Sequence, residues 1–366
     1  MSAIGTGVTV GGRGRSADPG GLLGRLRRER DRQVRHRSRR LGGRACRRIP
    51  SNLTSVRFDR FNPQAPGRSV VNMDGTYVDH AYAEHLTDAD LDFLAAASGT
   101  GERPGGAAAR LRREPAGISR LVGHPAVFEA VFGRAAVRAG RPALVSPFLA
   151  FAVAVHRAAA ELASMTHVPE RTGPRQRVPV LDAPLLAGFL ESPERRLFLA
   201  ELLASFTRTA EGRYQVRTPH GPRWLRFSEA HPARFAGLLD AVSEGERPGV
   251  YRRLGDIALF LAGVFPDHTF GPAFGPVQVE RLLREAHVVR REEKDRLAAT
   301  PGLELMEYLG TRWYRRACEL ATVRTKRLAV VAEVAERFRA ARRVLNHVAD
   351  RYLFPAGETG FASPGR

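Results

Sequence analysis

Three groups of residues in this chain have the types and spacing to do chemistry. The first is Tyr251-Arg252-Arg253-Leu254-Gly255-Asp256. Asp256 falls at the mouth of the most apolar helical stretch, Val250–Phe265. A carboxylate entering a core needs a cationic partner, and Arg252 and Arg253 are within helical reach of it. Read structurally, Asp256 is half of an ion pair. Read catalytically, it is a carboxylate of raised pKa lining a pocket between helices. Asp267 and His268 follow the proline at the far end of that helix, and Asn346, His347 and Asp350 lie near the end of the last one. Asp256 with Asp267, His268 or His347 is therefore the candidate catalytic set, with or without a metal.

The second group is Asp79-His80, Glu84-His85, Asp88 and Asp90. On one continuous helix His80, Glu84 and Asp88 would align at i, i+4 and i+8 and could hold a divalent ion. The competing reading is a polar, solvated helix start. The Glu-x-x-His pairs of di-iron bundles are absent. Glu304, Glu307, Glu333 and Glu336 are expected outside, paired with Arg312, Arg315, Arg337 and Arg339.

The third group is basic and aromatic. Arg213, Arg217, Arg223 and Arg226 interleave with Tyr214, Trp224 and Phe227. That mixture suits phosphate contact and base stacking, so Arg213, Arg217, Arg223, Trp224 and Arg226 are the candidate contacts for nucleic acid or an acidic protein. The structural alternative turns the aromatics to the core and leaves the arginines in water. Tyr214–Thr218 and Arg223–Phe227 are alternating runs around Pro219-His220-Gly221-Pro222, which is hairpin grammar.

No cofactor is implied. The Gly5–Gly11 run has no strand before it, so it cannot aim amides at a pyrophosphate. Neither lysine, Lys294 or Lys326, follows a glycine, which excludes a phosphate loop of Walker type. There is no G-x-S-x-G or H-E-x-x-H. Two cysteines, Cys46 and Cys318, exclude a disulfide framework and a cysteine-based zinc site.

The elements that must position these residues read as helices. From Ile118 onward, apolar periodicity is punctuated by Pro and Gly: helices are expected over Pro125–Arg138, Ser146–Met165, Leu185–Leu190, Glu194–Thr207, Val277–Arg296, Leu303–Ala321 and Leu328–Leu353. Val250–Phe265 is apolar nearly all round and should be central, with Gly255 and Gly263 admitting close neighbours. Thr87 should cap a helix running to Ala97. Residues 168–178 read as a basic loop, and short extended segments are expected near Val56, Phe58, Val70 and Val71.

The chain has 366 residues and a formal net charge of +20. Residues 1–48 hold fourteen arginines against Asp18, Glu29 and Asp31. Such a segment cannot bury enough apolar surface to offset its ordering entropy. An alternative is that translation starts further downstream. Arginine carries nearly all the positive charge in an Ala-, Gly- and Pro-rich chain, which points to GC-rich coding and weakens arginine excess as a phosphate signal. The first twenty residues lack a signal-peptide apolar run, and no apolar stretch approaches the ~20 residues that span a bilayer. The expectation is a mainly α cytoplasmic protein, a multi-helix bundle with one small β-hairpin and a disordered basic N-terminal arm. Its expected parts are an arm (1–50), an N-terminal helical part (51–210), a hairpin (211–228), a C-terminal bundle (229–356) and a loose tail (357–366). A non-catalytic binding or regulatory protein is the preferred reading, and an enzyme built on Asp256 the alternative.

Overall fold

A computed structural model describes residues 74–99, 105–133, 144–173, 176–218, 221–269 and 274–354. The arginine-rich arm and the extended segments expected before residue 74 lie outside them. Among the described residues the chain is mainly α, with fifteen α-helices and two antiparallel hairpins. No described helix is long and apolar enough to cross a membrane.

The first helices are α1 (Asp74–His85), α2 (Asp88–Ala97), α3 (Gly106–Arg113), α4 (Ile118–Val122) and α5 (Pro125–Phe132). Thr87 caps α2 as its sequence position implies: its hydroxyl accepts the Asp90 amide, and Asp90 accepts the Thr87 amide in return. Next come α6 (Pro147–Leu162), the strands β1 (Val168–Gly173) and β2 (Gln176–Val180), then α7 (Ala183–Leu190) and α8 (Pro193–Ser205). The second hairpin, β3 (Glu211–Thr218) and β4 (Gly221–Ser228), is followed by the short α9 (Pro232–Phe235). The remainder is α10 (Arg247–Val264), α11 (Pro276–Glu285), α12 (Arg291–Ala299), α13 (Gly302–Leu320), α14 (Lys326–Glu336) and α15 (Phe338–Val348).

Two apolar clusters form the core, and α6 and α8 stand between them. The smaller gathers α1–α5 against Leu149, Val153, Leu197 and Ala200. The larger surrounds α10 and takes Phe151, Val155, Leu162, Leu199, Leu202 and Leu203 from the other faces of the same two helices. Both helices carry apolar residues on more than one face, which suits such a shared wall. α10 is buried along nearly its whole length and packs chiefly on α13 and α15. Its two glycines sit where neighbours press closest. A Cβ at Gly255 would lie 2.4 Å from the Tyr314 ring, and one at Gly263 would lie 2.7 Å from Leu345. Gly255→Ala should therefore overpack the α10–α13 seam and destabilise by about 1–3 kcal/mol in denaturant unfolding, whereas a neutral result would mean Tyr314 has room to move.

Three sequence expectations are corrected. Residues 168–178 are not a loop: Val168 pairs with Val180, Pro169 with Pro179 and Glu170 with Val178. The usual alternation is hidden because inward-facing Glu170 is an acid. The single helix expected over Val277–Arg296 is two, since His287 adopts φ +54 and the Val288 amide bonds back to the Leu283 carbonyl, a left-handed helix stop. The long helix expected over Leu328–Leu353 breaks at Arg337 (φ −114, ψ 31), and Phe338 then seats on Gly310.

Candidate functional site

Asp256 is 3% exposed, inside the α10–α13 seam. Tyr314 donates its hydroxyl to Oδ1 at 2.8 Å, and Arg253 Nη1 lies 3.9 Å from Oδ2. Arg253 is committed elsewhere as well. Its Nε donates to Glu229 at 2.7 Å, its Nη1 donates to the Ser205 hydroxyl at 2.8 Å, and its guanidinium lies over the Phe206 ring. Glu229 also accepts the Ala210 amide at 2.8 Å, so this network ties α10 to both ends of the β3–β4 hairpin. Burial pushes the Asp256 carboxyl up, opposed by Arg252, Arg253 and the Tyr314 bond. Burial and the Asp256 charge push the Tyr314 phenol up in turn.

Asp256→Asn should then lower stability by about 1–3 kcal/mol near pH 7, because the amide NH2 turns a donor toward either the Tyr314 hydroxyl or Arg253, where the carboxyl offers two acceptors. The gap has a defined pH dependence. A carboxyl whose folded pKa is raised binds protons more tightly folded than unfolded. Its contribution falls as pH climbs above the ordinary carboxylate range. The stability difference between wild type and Asp256→Asn should shrink with rising pH across that window, and thermal melts at several pH values read it directly. A widening gap would contradict the raised pKa.

The other described catalytic candidates lie away from Asp256. Asp256 sits eight residues before the end of α10, about 12 Å along the axis. Beyond that end, Asp267 accepts Arg171 Nη1 at 2.8 Å. Arg171 also binds Asp350, which Arg177 approaches at 3.2 Å. His347 faces Glu161 at 3.7 Å, and Glu161 accepts Arg157 at 2.9 Å. Burial holds the His347 pKa down, against the pull of Glu161. Asn346 donates to the Ala262 carbonyl at 3.2 Å and to that of Gly263, and accepts from Arg342 at 2.7 Å. The His268 side chain lies outside the described part. Thus Asp267 and Asp350 meet through Arg171, His347 pairs with Glu161, and Asp256 is held apart from all of them.

The metal candidates separate too. α1 ends at His85 and α2 begins at Asp88, so the register is broken between Glu84 and Asp88. Glu84 lies 3.8 Å from Arg327, Asp88 accepts from Arg112 at 3.0 Å, and His80 is exposed. Among the described residues no group of three or more His, Cys, Asp or Glu could hold a metal.

The β3–β4 hairpin has two distinct faces. Gly212 pairs with Phe227 and Tyr214 with Leu225, and Tyr214 and Phe227 turn into the core beside Phe235. The opposite face places Arg213 directly across from Arg226 and Gln215 directly across from Trp224. Arg213, Gln215 and Arg226 are exposed, and Trp224 is 50% exposed. Arg223 is exposed nearer the tip. No carboxylate among the described residues lies within ion-pair distance of Arg213, Arg223 or Arg226. Arg217 pairs with Pro222 in the ladder. The ladder continues to Thr218 and Gly221, so the connection is two residues, shorter than the four-residue turn expected from sequence. The core takes Tyr214 and Phe227, as the structural alternative had it, but it leaves Trp224 outside.

Comparison with family models, with curated proteins and with solved structures gave no match to this chain.

Two constellations were missed in the sequence. One is a charge network around β1. Arg342, 1% exposed, donates to Glu170 at 2.6 Å and also binds Glu307, while Arg343 lies 3.2 Å from Glu170 and also meets Asp182. This corrects the partner expected for Glu307, which serves buried Arg342, whereas Arg339 stays exposed as expected and reaches toward Glu170. Arg342 and Arg343, adjacent and flanked by Ala340, Ala341, Val344 and Leu345, were the available signal. The other constellation is a cleft at His156, where Tyr82, 74 residues away, meets the imidazole at 3.0 Å. No local pattern announces such a pair.

Proposed function

We propose that this chain is a non-catalytic, helical binding protein of the cytoplasm that engages single-stranded nucleic acid through the solvent face of the β3–β4 hairpin. One observation carries this reading: Arg213 opposes Arg226 across the ladder, beside the half-exposed Trp224. Like charges placed directly opposite destabilise a hairpin, and an anion between them reverses the sign of that interaction. An exposed indole adds a stacking surface that any base can use. The helical body supports this use by rigidity. Glu229, Arg253 and Ser205 anchor the hairpin to α10 and α8, so its outer face is presented without distortion.

The enzyme reading is the weaker one, because Asp256, Asp267 and His347 are each engaged by a charged partner, Arg253, Arg171 and Glu161. Tryptophan fluorescence tests the binding reading. Trp313 is fully buried, whereas Trp224 is half exposed. A short single-stranded oligonucleotide should quench emission saturably in wild type, and Trp224→Phe should remove the quench. A polyglutamate probe that binds when the oligonucleotide does not would instead favour an acidic protein partner.

A further inference from the structure

We infer that a shallow cleft between α4, α6 and α8 is a binding site for a phosphoryl group, held by Arg196 and Arg120 with His156 as a hydrogen-bond donor. The cleft is lined by Ser119, Arg120 and Gly123 on one side and by His156, Ala159, Ala160 and Arg196 on the other. It lies apart from the β3–β4 hairpin, and the inference is independent of the reading above.

The argument begins with Arg196. Its Nη1 donates to the Leu190 carbonyl at 2.8 Å. Its Nε is buried without an acceptor, and no carboxylate among the described residues comes within ion-pair distance. Burial accordingly pulls its pKa down. Several other half-buried arginines are compensated by carboxylates: Arg171 by Asp267 and Asp350, Arg195 by Glu333, Arg253 by Glu229. A partly desolvated guanidinium without a counter-ion is costly, and an anionic ligand is what removes the cost. Arg120 adds a second, exposed cation on the rim.

His156 settles what kind of ligand fits. The Tyr82 hydroxyl is buried and needs an acceptor, and His156 Nε2 lies 3.0 Å from it. With Nε2 accepting, the imidazole proton sits on Nδ1. Burial and the nearby Arg196 charge keep the ring neutral. Nδ1 faces Gly123, where an added Cβ would approach it to 2.9 Å. The glycine therefore leaves that N–H open. Two guanidinium groups, an imidazole N–H and the Ser119 hydroxyl give a lining rich in donors and without a carboxylate. Arginine forks of this kind match phosphoryl oxygens.

Calorimetric titration of the full chain tests the site. The probes are inorganic phosphate and a nucleoside 5′-monophosphate, with sodium chloride at matched ionic strength as the blank. The expected result is saturable binding of at least one probe, weakened about tenfold or more by Arg120→Gln and by Arg196→Gln. Arg120 is exposed, so its variant keeps the fold if Arg196→Gln does not. Phosphate alone binding identifies the free ion, and tighter monophosphate binding identifies a nucleotide. The same titrations repeated in Arg213→Ala/Arg226→Ala remove any binding at the hairpin, and the loss caused by Arg120→Gln should persist in that background. No saturation with either probe, or an unchanged Kd in Arg120→Gln, overturns the inference.

Discussion

Glu170→Ala should destabilise the protein by about 3–5 kcal/mol, with a fall in Tm on the order of 10 °C. The size follows from what the carboxylate holds. Its two oxygens face Arg342 at 2.6 Å and Arg343 at 3.2 Å, and the Arg342 side chain is 1% exposed. Truncation leaves two adjacent buried cations to share Glu307 and Asp182. Burial already lowers the pKa of Arg343, with Glu170 opposing it. The effect would propagate, because Arg342 also orients Asn346, which binds the carbonyls of Ala262 and Gly263 on α10. Glu170→Gln keeps an acceptor and should fall between the two. A double-mutant cycle with Arg342→Met separates the pair from the packing of its parts, and near-additivity would show that the two side chains do not act together. A loss below about 1 kcal/mol for Glu170→Ala would contradict the network.

The second large effect belongs to the hairpin. Trp224→Ala should weaken single-stranded oligonucleotide binding by about 1–3 kcal/mol with little change in stability, because the indole stacks on a base but is half exposed in the free protein. Phe227→Ala on the same strand is the contrast. Phe227 is buried against Phe235 and lies tilted to Tyr214. Its truncation should cost stability, about 3–5 kcal/mol, and affect binding only through unfolding. Equal losses of stability in the two variants would show that Trp224 is a packing residue.

What the sequence revealed and what it hid divide along a physical line. Val250–Phe265 announced its burial by being apolar on all sides, and Gly255 and Gly263 announced close packing by lacking side chains. The alternation from Tyr214 to Phe227 announced a hairpin, but not that Trp224 would stay outside while Tyr214 and Phe227 turn inward. These are local signals with a fixed period. β1 and β2 gave no such signal. The inward position Glu170 is a charge, and it is burial-competent only because α15 supplies Arg342 and Arg343 from more than 170 residues away. The α10 carboxylate was legible as needing a cation, but not as the acceptor for Tyr314, 58 residues on. His347 and Asp267 were candidates to join Asp256 because each lies near a helix end. The chain instead gives each its own partner, Glu161 and Arg171. Helical spacing also placed Glu84 and Asp88 on one face, and a capped break at Thr87 undid it.

The most direct test of the binding account is the salt dependence of oligonucleotide affinity in the full chain, wild type against Arg213→Ala/Arg226→Ala. Each phosphate neutralised on a single strand contributes about 0.7 to the slope of log K against log salt. The account predicts a slope shallower by about 1.4 in the double variant, together with weaker binding at low salt. The same slope and the same affinity in both proteins would contradict it.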